Sequence, residues 1–247
     1  MKTEYLQRKN NTYIFISKLS GRFFSSLPFF YFSHMKIYIV SGLGADFKVL
    51  EKLKFPGQHE VVFIDWLIPR RNESFAKYIE RMADKVDTSE PFFLLGYSFG
   101  GIIVQEINKI KPAVKVIIIG SIKSDKEKSR LIKIGKVTKI PKALPTGFFN
   151  ERTTHIYTFV RKIFDPKNPR LLQYFRVRDP YYLKWSIERI SEWKFDENPE
   201  VIQILGDKDI VFPIKNSKPD YIIKGGTHLF PATKHKELSI ILNDILK

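Results

Sequence analysis

A five-residue motif, Gly-Tyr-Ser-Phe-Gly at residues 96–100, stands between two apolar stretches of the chain. Residues 92–95 before it are all apolar, and residues 101–107 after it have the composition of the first turns of a helix. A G-x-S-x-G turn between a strand and a helix is so tight that small residues are needed two positions on either side of the serine. The motif therefore predicts a buried strand, a sharp turn that presents the hydroxyl of Ser98 above the sheet, and a helix.

Two further polar positions follow apolar runs in the second half of the chain. Asp207 and Asp209 come directly after the run at residues 202–206, and His228 follows the run at residues 221–223. If these runs are parallel strands, their carboxyl ends lie at the edge where open α/β sheets bind ligands. We therefore expect a carboxylate and a histidine beside the predicted serine turn.

A serine, a carboxylate and a histidine can together perform nucleophilic catalysis. Serine is a weak nucleophile because its hydroxyl is protonated at neutral pH, and a neutral imidazole can take up that proton. A carboxylate fixes the imidazole tautomer and stabilises the imidazolium. The predicted roles are therefore a nucleophile for Ser98, a general base for His228 and an orienting carboxylate at Asp207 or Asp209.

The chain order serine, carboxylate, histidine resembles that of the α/β-hydrolase superfamily, and in particular its small capped serine esterases. The resemblance covers residues 35–247. In this superfamily the acid usually stands three residues after the strand-end glycine, with a proline four residues later. Asp209 and Pro213 match this pattern, which favours Asp209 over Asp207. The resemblance implies a doubly wound, mostly parallel α/β sheet, the α/β-hydrolase fold, with a helical cap.

The first loop of this superfamily usually reads His-Gly-x-Gly after the first core strand. Residues 41–44 read Ser-Gly-Leu-Gly here, so the glycines match and Ser41 replaces the histidine. The replacement should matter little for an oxyanion hole, because the donors are backbone N–H groups. By resemblance, these donors are the amides of Leu43 and of Phe99, the residue after the serine.

Apolar runs and amphipathic segments alternate from Met35 onwards, as in a parallel sheet covered by helices. Besides the strand before the serine, the expected strands are residues 36–40, 59–65, 115–119, 201–205 and 221–223. Residues 72–74 can cap a helix with apolar positions Phe75, Ile79, Met82 and Val86, and a last helix carries Leu238, Ile241, Leu242 and Ile245 on one face. These elements define a core domain over residues 35–120 and 199–247.

Residues 121–198 interrupt the alternation, and the resemblance implies that they form the cap. Prolines divide the interval, and its clearest segment is helical, with Leu183, Ile187 and Ile190 on one face. Its aromatic residues are Phe148, Phe149, Phe159, Phe164, Tyr174, Phe175, Tyr181, Tyr182, Trp185 and Trp193. A cap supplies apolar walls and excludes water from a site. We expect most of these aromatic residues to hold the cap together and a few to face Ser98.

Residues 1–34 differ from the rest of the chain, because basic residues interrupt their apolar pieces. The longest uncharged run, residues 23–34, has twelve residues and contains Pro28, and it is too short to span a bilayer. Neither the unbroken apolar region nor the clear small-residue cleavage site of a signal peptide is evident. We therefore expect an N-terminal extension, disordered or loosely packed, upstream of a functional start at Met35, and a cytoplasmic chain.

Composition restricts the cofactors and partners. The chain has no cysteine, and its five histidines show no metal-ligand spacing, so we expect no metal and no other cofactor. The formal net charge of +16 is compatible with a nucleic-acid or membrane-surface partner, but the lysines are spread along the chain and mixed with acidic residues. This distribution favours a solvated surface, with no nucleic-acid partner and no stable membrane insertion.

The predicted activity is hydrolysis of a carboxylic ester or thioester of a small-to-medium acyl substrate through an acyl-Ser98 intermediate. Two alternatives stay open. A lyase or C–C bond hydrolase can use the same scaffold with the serine–histidine pair acting mainly as a base, and a non-catalytic homologue can bind a small ligand in the capped pocket. A covalent acyl-enzyme distinguishes the hydrolase from a lyase, and ester turnover that is lost in Ser98→Ala distinguishes an enzyme from a binding protein.

Overall fold

The computed structural model of the chain describes residues 3–9, 12–19, 22–24, 34–138, 143–149, 174, 176–195 and 198–247. The chain divides into two compact units, Met1–Ser33 and His34–Lys247. No helix among these described residues is long and apolar enough to cross a membrane.

The first unit contains an antiparallel sheet of three strands. The strands are β1 (Thr3–Lys9), β2 (Thr12–Leu19) and β3 (Arg22–Phe24), in the order β1-β2-β3. This differs from the expected disordered or loosely packed segment. The strands form where β-branched and aromatic residues are frequent, as in the Thr-Tyr-Ile-Phe-Ile sequence of β2. That the unit is an extension upstream of the functional domain stays a prediction.

The second unit is built on a six-stranded sheet in which every neighbouring pair of strands is parallel. Its strands are β4 (Lys36–Val40), β5 (Glu60–Phe63), β6 (Phe92–Tyr97), β7 (Lys115–Ile119), β8 (Ile202–Gly206) and β9 (Tyr221–Ile223). They lie in the order β5-β4-β6-β7-β8-β9. The direction of the order reverses between β4 and β6, and open α/β sheets bind ligands beyond the carboxyl ends of the strands at such a point.

The strands beside this reversal are buried, as expected for uniformly apolar strands of a parallel sheet. Every residue of β6 is buried. Val40 pairs with Gly96, and Tyr97 pairs with Ile119, so the carboxyl ends of β4, β6 and β7 lie level with one another. The loops that follow these three strands therefore start side by side.

The described helices of the second unit are α1 (Phe75–Ala83), α2 (Phe99–Ile110), α3 (Arg130–Thr138), α4 (Pro180–Glu192), α5 (Phe230–Thr233) and α6 (His235–Ile245). Ser74, within the predicted capping segment, caps α1, because its Oγ accepts a hydrogen bond from the Lys77 N–H at 3.2 Å. Leu238 and Leu242 of α6 are fully buried. The apolar face predicted for the last helix thus packs into the core.

The predicted strand bounds agree with the structure at β4, β7 and β9 and differ at two others. β5 is Glu60–Phe63 rather than residues 59–65. The N–H of His59 donates to the Pro56 carbonyl in a turn, so this residue precedes the ladder. β8 begins and ends one residue later than predicted, at Ile202 and Gly206.

The described part of residues 121–198 contains helices and no strand, as predicted for this interval. Asp179 caps α4 by accepting a hydrogen bond from the Tyr182 N–H, and Pro180 occupies the first turn. Trp185 of α4 packs on Tyr78 of α1, with ring centroids 4.5 Å apart. This helix therefore lies against the layer of helices that covers the sheet. That the interval is a cap over a pocket stays a prediction.

Candidate active site

Ser98 occupies a strained turn between β6 and α2. Its backbone angles are φ 53° and ψ −120°, and Asn72 is the only other non-glycine residue with positive φ in the described part of the chain. Such a conformation costs on the order of 1–3 kcal/mol and persists where the surrounding structure enforces it. The predicted sharp turn at the serine is therefore present.

The two glycines of the motif are required by close backbone contacts. A Cβ on Gly96 would lie 2.4 Å from the carbonyl oxygen of Gly100, and a Cβ on Gly100 would lie 2.1 Å from that of Val40. Both separations are far shorter than van der Waals contact. The start of α2 therefore packs directly against the ends of β4 and β6, which fixes the position of Ser98.

Three of the predicted site residues form one chain of hydrogen bonds. Ser98 Oγ lies 2.9 Å from His228 Nε2, and Asp209 Oδ2 lies 2.7 Å from His228 Nδ1. The exposed fractions of Ser98, Asp209 and His228 are 5%, 3% and 0%. The serine, which follows β6, meets an acid that follows β8 and a histidine that follows β9.

The loop after β8 distinguishes the two candidate carboxylates. Oδ1 of Asp209 accepts hydrogen bonds from the N–H groups of Val211 at 2.8 Å and Phe212 at 3.0 Å, while Oδ2 faces the histidine. Asp207 is exposed at the tip of the turn. The structure thus brings Asp209, and not Asp207, to His228.

The imidazole of His228 is enclosed by aromatic rings. The ring centroids of Tyr97 and Phe212 each lie 5.6 Å from that of the imidazole. The Tyr97 hydroxyl donates to the backbone carbonyl of His228 at 2.9 Å. Burial raises the pKa of Tyr97 well above its ordinary value, so this hydroxyl keeps its proton beyond the pH at which an exposed tyrosine ionises. The ring contacts hold the imidazole of His228 in place, and the hydrogen bond from Tyr97 holds its backbone.

The loop after β4 lies against the serine. A Cβ on Gly42 would be 3.4 Å from the Cβ of Ser98. Ser41, which stands where the superfamily usually has histidine, closes the loop by donating from Oγ to the carbonyl of Asp46 at 2.9 Å. Within the described residues, the N–H groups of Leu43 and Phe99 donate no hydrogen bond. In the described part of the chain, neither of these N–H groups is therefore occupied by a protein acceptor.

Sequence reasoning did not single out Trp66, which contacts this loop. Its Nε1–H donates to the carbonyl of Gly42 at 2.9 Å, and its ring stacks on that of Phe99. One feature of the sequence could have indicated it: Trp66 comes directly after the second predicted strand, at the edge of the sheet where open α/β folds bind ligands.

The described aromatic residues of the interval 121–198 contact different elements of the fold. Tyr182 reaches the loop after β4, where its hydroxyl oxygen accepts a hydrogen bond from the Gly44 N–H at 3.1 Å. Trp185 packs on α1, and Trp193 donates from Nε1 to Glu106 of α2 at 2.7 Å. Phe159, Phe164 and Phe175, and the side chains of Phe148 and Phe149, lie outside the described residues.

An open groove borders the acid loop. It is lined by Ser129, Arg130, Asp207, Lys208, Asp209, Ile210, Pro213, Ile214, Lys215 and Asn216. Because Asp209 forms part of its wall, the groove lies next to the chain of hydrogen bonds. Its lining combines apolar side chains with both cationic and acidic ones.

Solved structures resemble this chain over most of its length. An esterase from Thermogutta terrifontis with bound malate is 11% identical, with a TM-score of 0.62 over 100% of this chain and 98% of that chain. Polyneuridine aldehyde esterase is 17% identical, with a TM-score of 0.54 over 87% of this chain and 100% of that chain. An alpha/beta hydrolase fold protein from Burkholderia ambifaria is 13% identical, with a TM-score of 0.61 over 85% and 90% of the two chains. The chain has the α/β-hydrolase fold.

The α/β-hydrolase fold confirms the fold class predicted from the sequence. No protein-family model and no curated protein sequence matches the chain. In the α/β-hydrolase fold of this chain, the loops after β4, β6, β8 and β9 meet at one end of the sheet and bring together the loop at Gly42, Ser98, Asp209 and His228.

Proposed function

We propose that this chain is a serine hydrolase that cleaves a carboxylic ester or thioester of a small-to-medium acyl substrate. The main support is the buried chain of hydrogen bonds from Ser98 through His228 to Asp209, with lengths of 2.9 and 2.7 Å. Solved structures with the same fold that are named as esterases or as a putative lipase agree with this proposal.

In the first half of the reaction, Ser98 Oγ attacks the acyl carbonyl carbon while His228 Nε2 takes the hydroxyl proton. The tetrahedral oxyanion accepts hydrogen bonds from the N–H groups of Leu43 and Phe99. The imidazolium, held by Asp209, then gives its proton to the departing alkoxide or thiolate. An acyl ester of Ser98 remains.

In the second half, water replaces the alcohol or thiol. His228 takes a proton from this water as its oxygen attacks the acyl carbon. The same two amides stabilise the second oxyanion. Collapse of this intermediate breaks the bond to Ser98 Oγ, which regains a proton from His228, and the carboxylic acid leaves.

A panel of p-nitrophenyl esters and acyl-CoA thioesters of graded acyl length tests this proposal. We expect turnover by the wild-type protein, with a burst of p-nitrophenol when deacylation is slow. Ser98→Ala should lose turnover and lose labelling by a fluorophosphonate while keeping the wild-type circular dichroism spectrum. Wild-type protein that turns over no ester or thioester, or full activity in Ser98→Ala, would contradict the proposal.

The lyase, the C–C bond hydrolase and the binding protein differ from this proposal in what can be trapped. Acid quenching during ester turnover should give a Ser98-containing peptide heavier by the acyl group. A lyase would give no such adduct, a C–C bond hydrolase would require a substrate with a scissile carbon–carbon bond, and a non-catalytic binding protein would release no product.

We further propose that residues 121–198 cap the site and that residues 1–34 lie outside the catalytic domain of a cytoplasmic enzyme. The contact of Tyr182 with the loop after β4 supports the first of these. The separate sheet of β1–β3, which contributes no strand to the six-stranded sheet, supports the second.

A further inference from the structure

Two donors hold the peptide unit between Gly42 and Leu43. Trp66 Nε1–H and the Ala45 N–H each donate to the Gly42 carbonyl oxygen at 2.9 Å. A carbonyl oxygen has two lone pairs, so both acceptor positions are occupied. The N–H of the same peptide unit belongs to Leu43, and in a trans peptide it points opposite to the carbonyl. The bonds from Trp66 and Ala45 together therefore set the direction of the Leu43 N–H.

Within the loop, the bond from the Ala45 N–H restrains this peptide. A rotation of the peptide changes ψ of Gly42 and φ of Leu43, and Gly42, which has no Cβ, adds little steric resistance to it. A half-turn of the peptide would present the Gly42 carbonyl oxygen in place of the Leu43 N–H. A carbonyl oxygen at that position would repel an oxyanion instead of stabilising it. Trp66 adds a second restraint, from outside the loop, to the one that Ala45 provides.

Trp66 also contacts the residue that carries the second proposed donor. Its indole stacks on the Phe99 ring, with centroids 5.3 Å apart and an interplanar angle of 8°. Trp66 as a whole residue is 9% exposed, and its ring centroid lies 5.7 Å from that of Tyr182. The indole is thus a rigid group packed between the loop after β4, the start of α2 and α4.

The geometry points to Trp66 as a positioning residue for the oxyanion hole. Together with the Ala45 N–H, its indole N–H holds the Gly42–Leu43 peptide so that the Leu43 amide faces the substrate carbonyl, and its ring supports Phe99. This inference rests on the proposed hydrolase function. In that mechanism Trp66 acts through two backbone amides and transfers no proton.

Trp66→Phe removes the indole N–H and keeps an aromatic ring to pack on Phe99. The matched control is Trp185→Phe, because Trp185 is 5% exposed and its Nε1 has no hydrogen-bond partner among the described residues. We expect kcat for an oxygen ester to fall about 10- to 100-fold in Trp66→Phe, less than for complete loss of an oxyanion donor. KM should change little, and Trp185→Phe should keep the wild-type kcat and KM.

Inhibitor binding distinguishes a positioning role of Trp66 from a general loss of structure in the variant. An alkyl trifluoromethyl ketone forms a hemiketal with Ser98 whose oxyanion needs the two amides, whereas the matching secondary alcohol binds without one. In Trp66→Phe, Ki for the ketone should rise by the factor by which kcat/KM falls, and Ki for the alcohol should stay near the wild-type value. The pKa of the bound hemiketal, followed by ¹⁹F NMR, should rise as well.

Replacement of Trp66 by benzothienylalanine provides a second variant if Trp66→Phe does not fold. Sulfur then takes the place of the N–H in a bicyclic ring of nearly the same shape, so the stacking on Phe99 is retained. This variant should show the same loss of kcat and the same selective loss of ketone binding.

The inference is overturned if a folded variant lacking the N–H keeps wild-type kcat and ketone affinity, or if ketone and alcohol weaken equally. Failure of the proposed function would look different. In that case the wild-type protein itself would neither hydrolyse esters nor form the hemiketal.

Discussion

Asp209 Oδ2 lies 2.7 Å from His228 Nδ1, while the other oxygen of the same carboxylate accepts the N–H groups of Val211 and Phe212. Three hydrogen bonds therefore fix the carboxylate, and it cannot rotate without breaking all of them. The backbone of the turn that follows Asp209 therefore holds the carboxylate rigidly, and the carboxylate orients the ring of His228.

This arrangement predicts different effects for the two neighbouring carboxylates. Asp209→Asn should lower kcat by up to about 10⁴-fold, because an amide favours the wrong imidazole tautomer. Asp207→Asn is the matched control and should have a small effect, since Asp207 is exposed. Measurement of kcat for both variants on one p-nitrophenyl ester checks the assignment, and the reverse ranking would mean that Asp207 is the acid.

The serine turn predicts a strong effect of one methyl group. Gly100→Ala would place a Cβ 2.1 Å from the Val40 carbonyl oxygen, so we expect destabilisation by about 3 kcal/mol, the upper end for overpacking, and loss of ester turnover. Gly57→Ala is the control, because a Cβ there meets nothing within 4 Å. Urea denaturation of the two variants measures the difference, and equal stability would show that the turn can relax.

Alkaline pH should destabilise the protein through its buried tyrosines. Burial raises the pKa values of Tyr78, Tyr97 and Tyr182 above the ordinary value of about 10. Because the folded-state pKa values exceed the unfolded ones, this stability is fully present below about pH 10 and is lost as pH rises towards the folded-state values.

Tyr78→Phe tests this prediction by removing one ionisable hydroxyl. Above pH 10 the fall of unfolding free energy with pH should become less steep than in the wild type by up to about 1.4 kcal/mol per pH unit. The variant also loses the bond to the Leu67 carbonyl, so its stability at pH 8 should be lower by about 1 kcal/mol. Parallel pH profiles for the two proteins would contradict the assignment.

A chain that begins at Met35 should fold and stay active, because residues 3–24 contribute no strand to the six-stranded sheet. The Met35 N–H donates to His59 Nδ1 at 3.3 Å, and a new terminal amine would keep a donor there. Thermal unfolding and ester turnover provide the measurement. A chain that begins at Ser33 and preserves the Met35 amide is the control, and a large fall in Tm in both would show that the first unit stabilises the second.

Activity should rise with acyl length until the acyl site is full, since each buried methylene contributes about 0.8 kcal/mol. The aromatic residues of the proposed cap, such as Tyr182 beside the loop after β4, would supply surface of this kind. Values of kcat/KM for acetyl to decanoyl p-nitrophenyl esters provide the measurement. Equal values along the series would show that no closed apolar acyl site exists.

The structural elements that were predicted correctly from the sequence are those that a local pattern of residues defines. Uniform apolar runs located β4 and β7, and the glycines of the 96–100 motif located the turn at Ser98, because each feature depends on neighbours a few residues away. The choice of Asp209 over Asp207 followed the resemblance and agrees with the hydrogen bond to His228.

Contacts between residues that are far apart in the sequence were not predicted. Trp66 bonds to Gly42 across 24 positions, and Tyr182 bonds to Gly44 across 138, and no local pattern encodes such pairs. The antiparallel sheet of β1–β3 was missed because charged residues interrupt its apolar pieces, which obscured the alternation.

The backbone of Gly44 makes residues 121–198 hard to exchange for another segment. Its N–H donates to the Tyr182 hydroxyl, and its carbonyl accepts the N–H groups of Arg176 and Val177 at 2.8 and 2.9 Å. A chimera with a foreign segment in place of residues 121–198 would leave both polar groups of this glycine unpaired, at a cost of about 1–3 kcal/mol each if they stay buried. Grafting a segment from another protein of this fold in place of residues 121–198 therefore requires redesign of the first loop of the core as well.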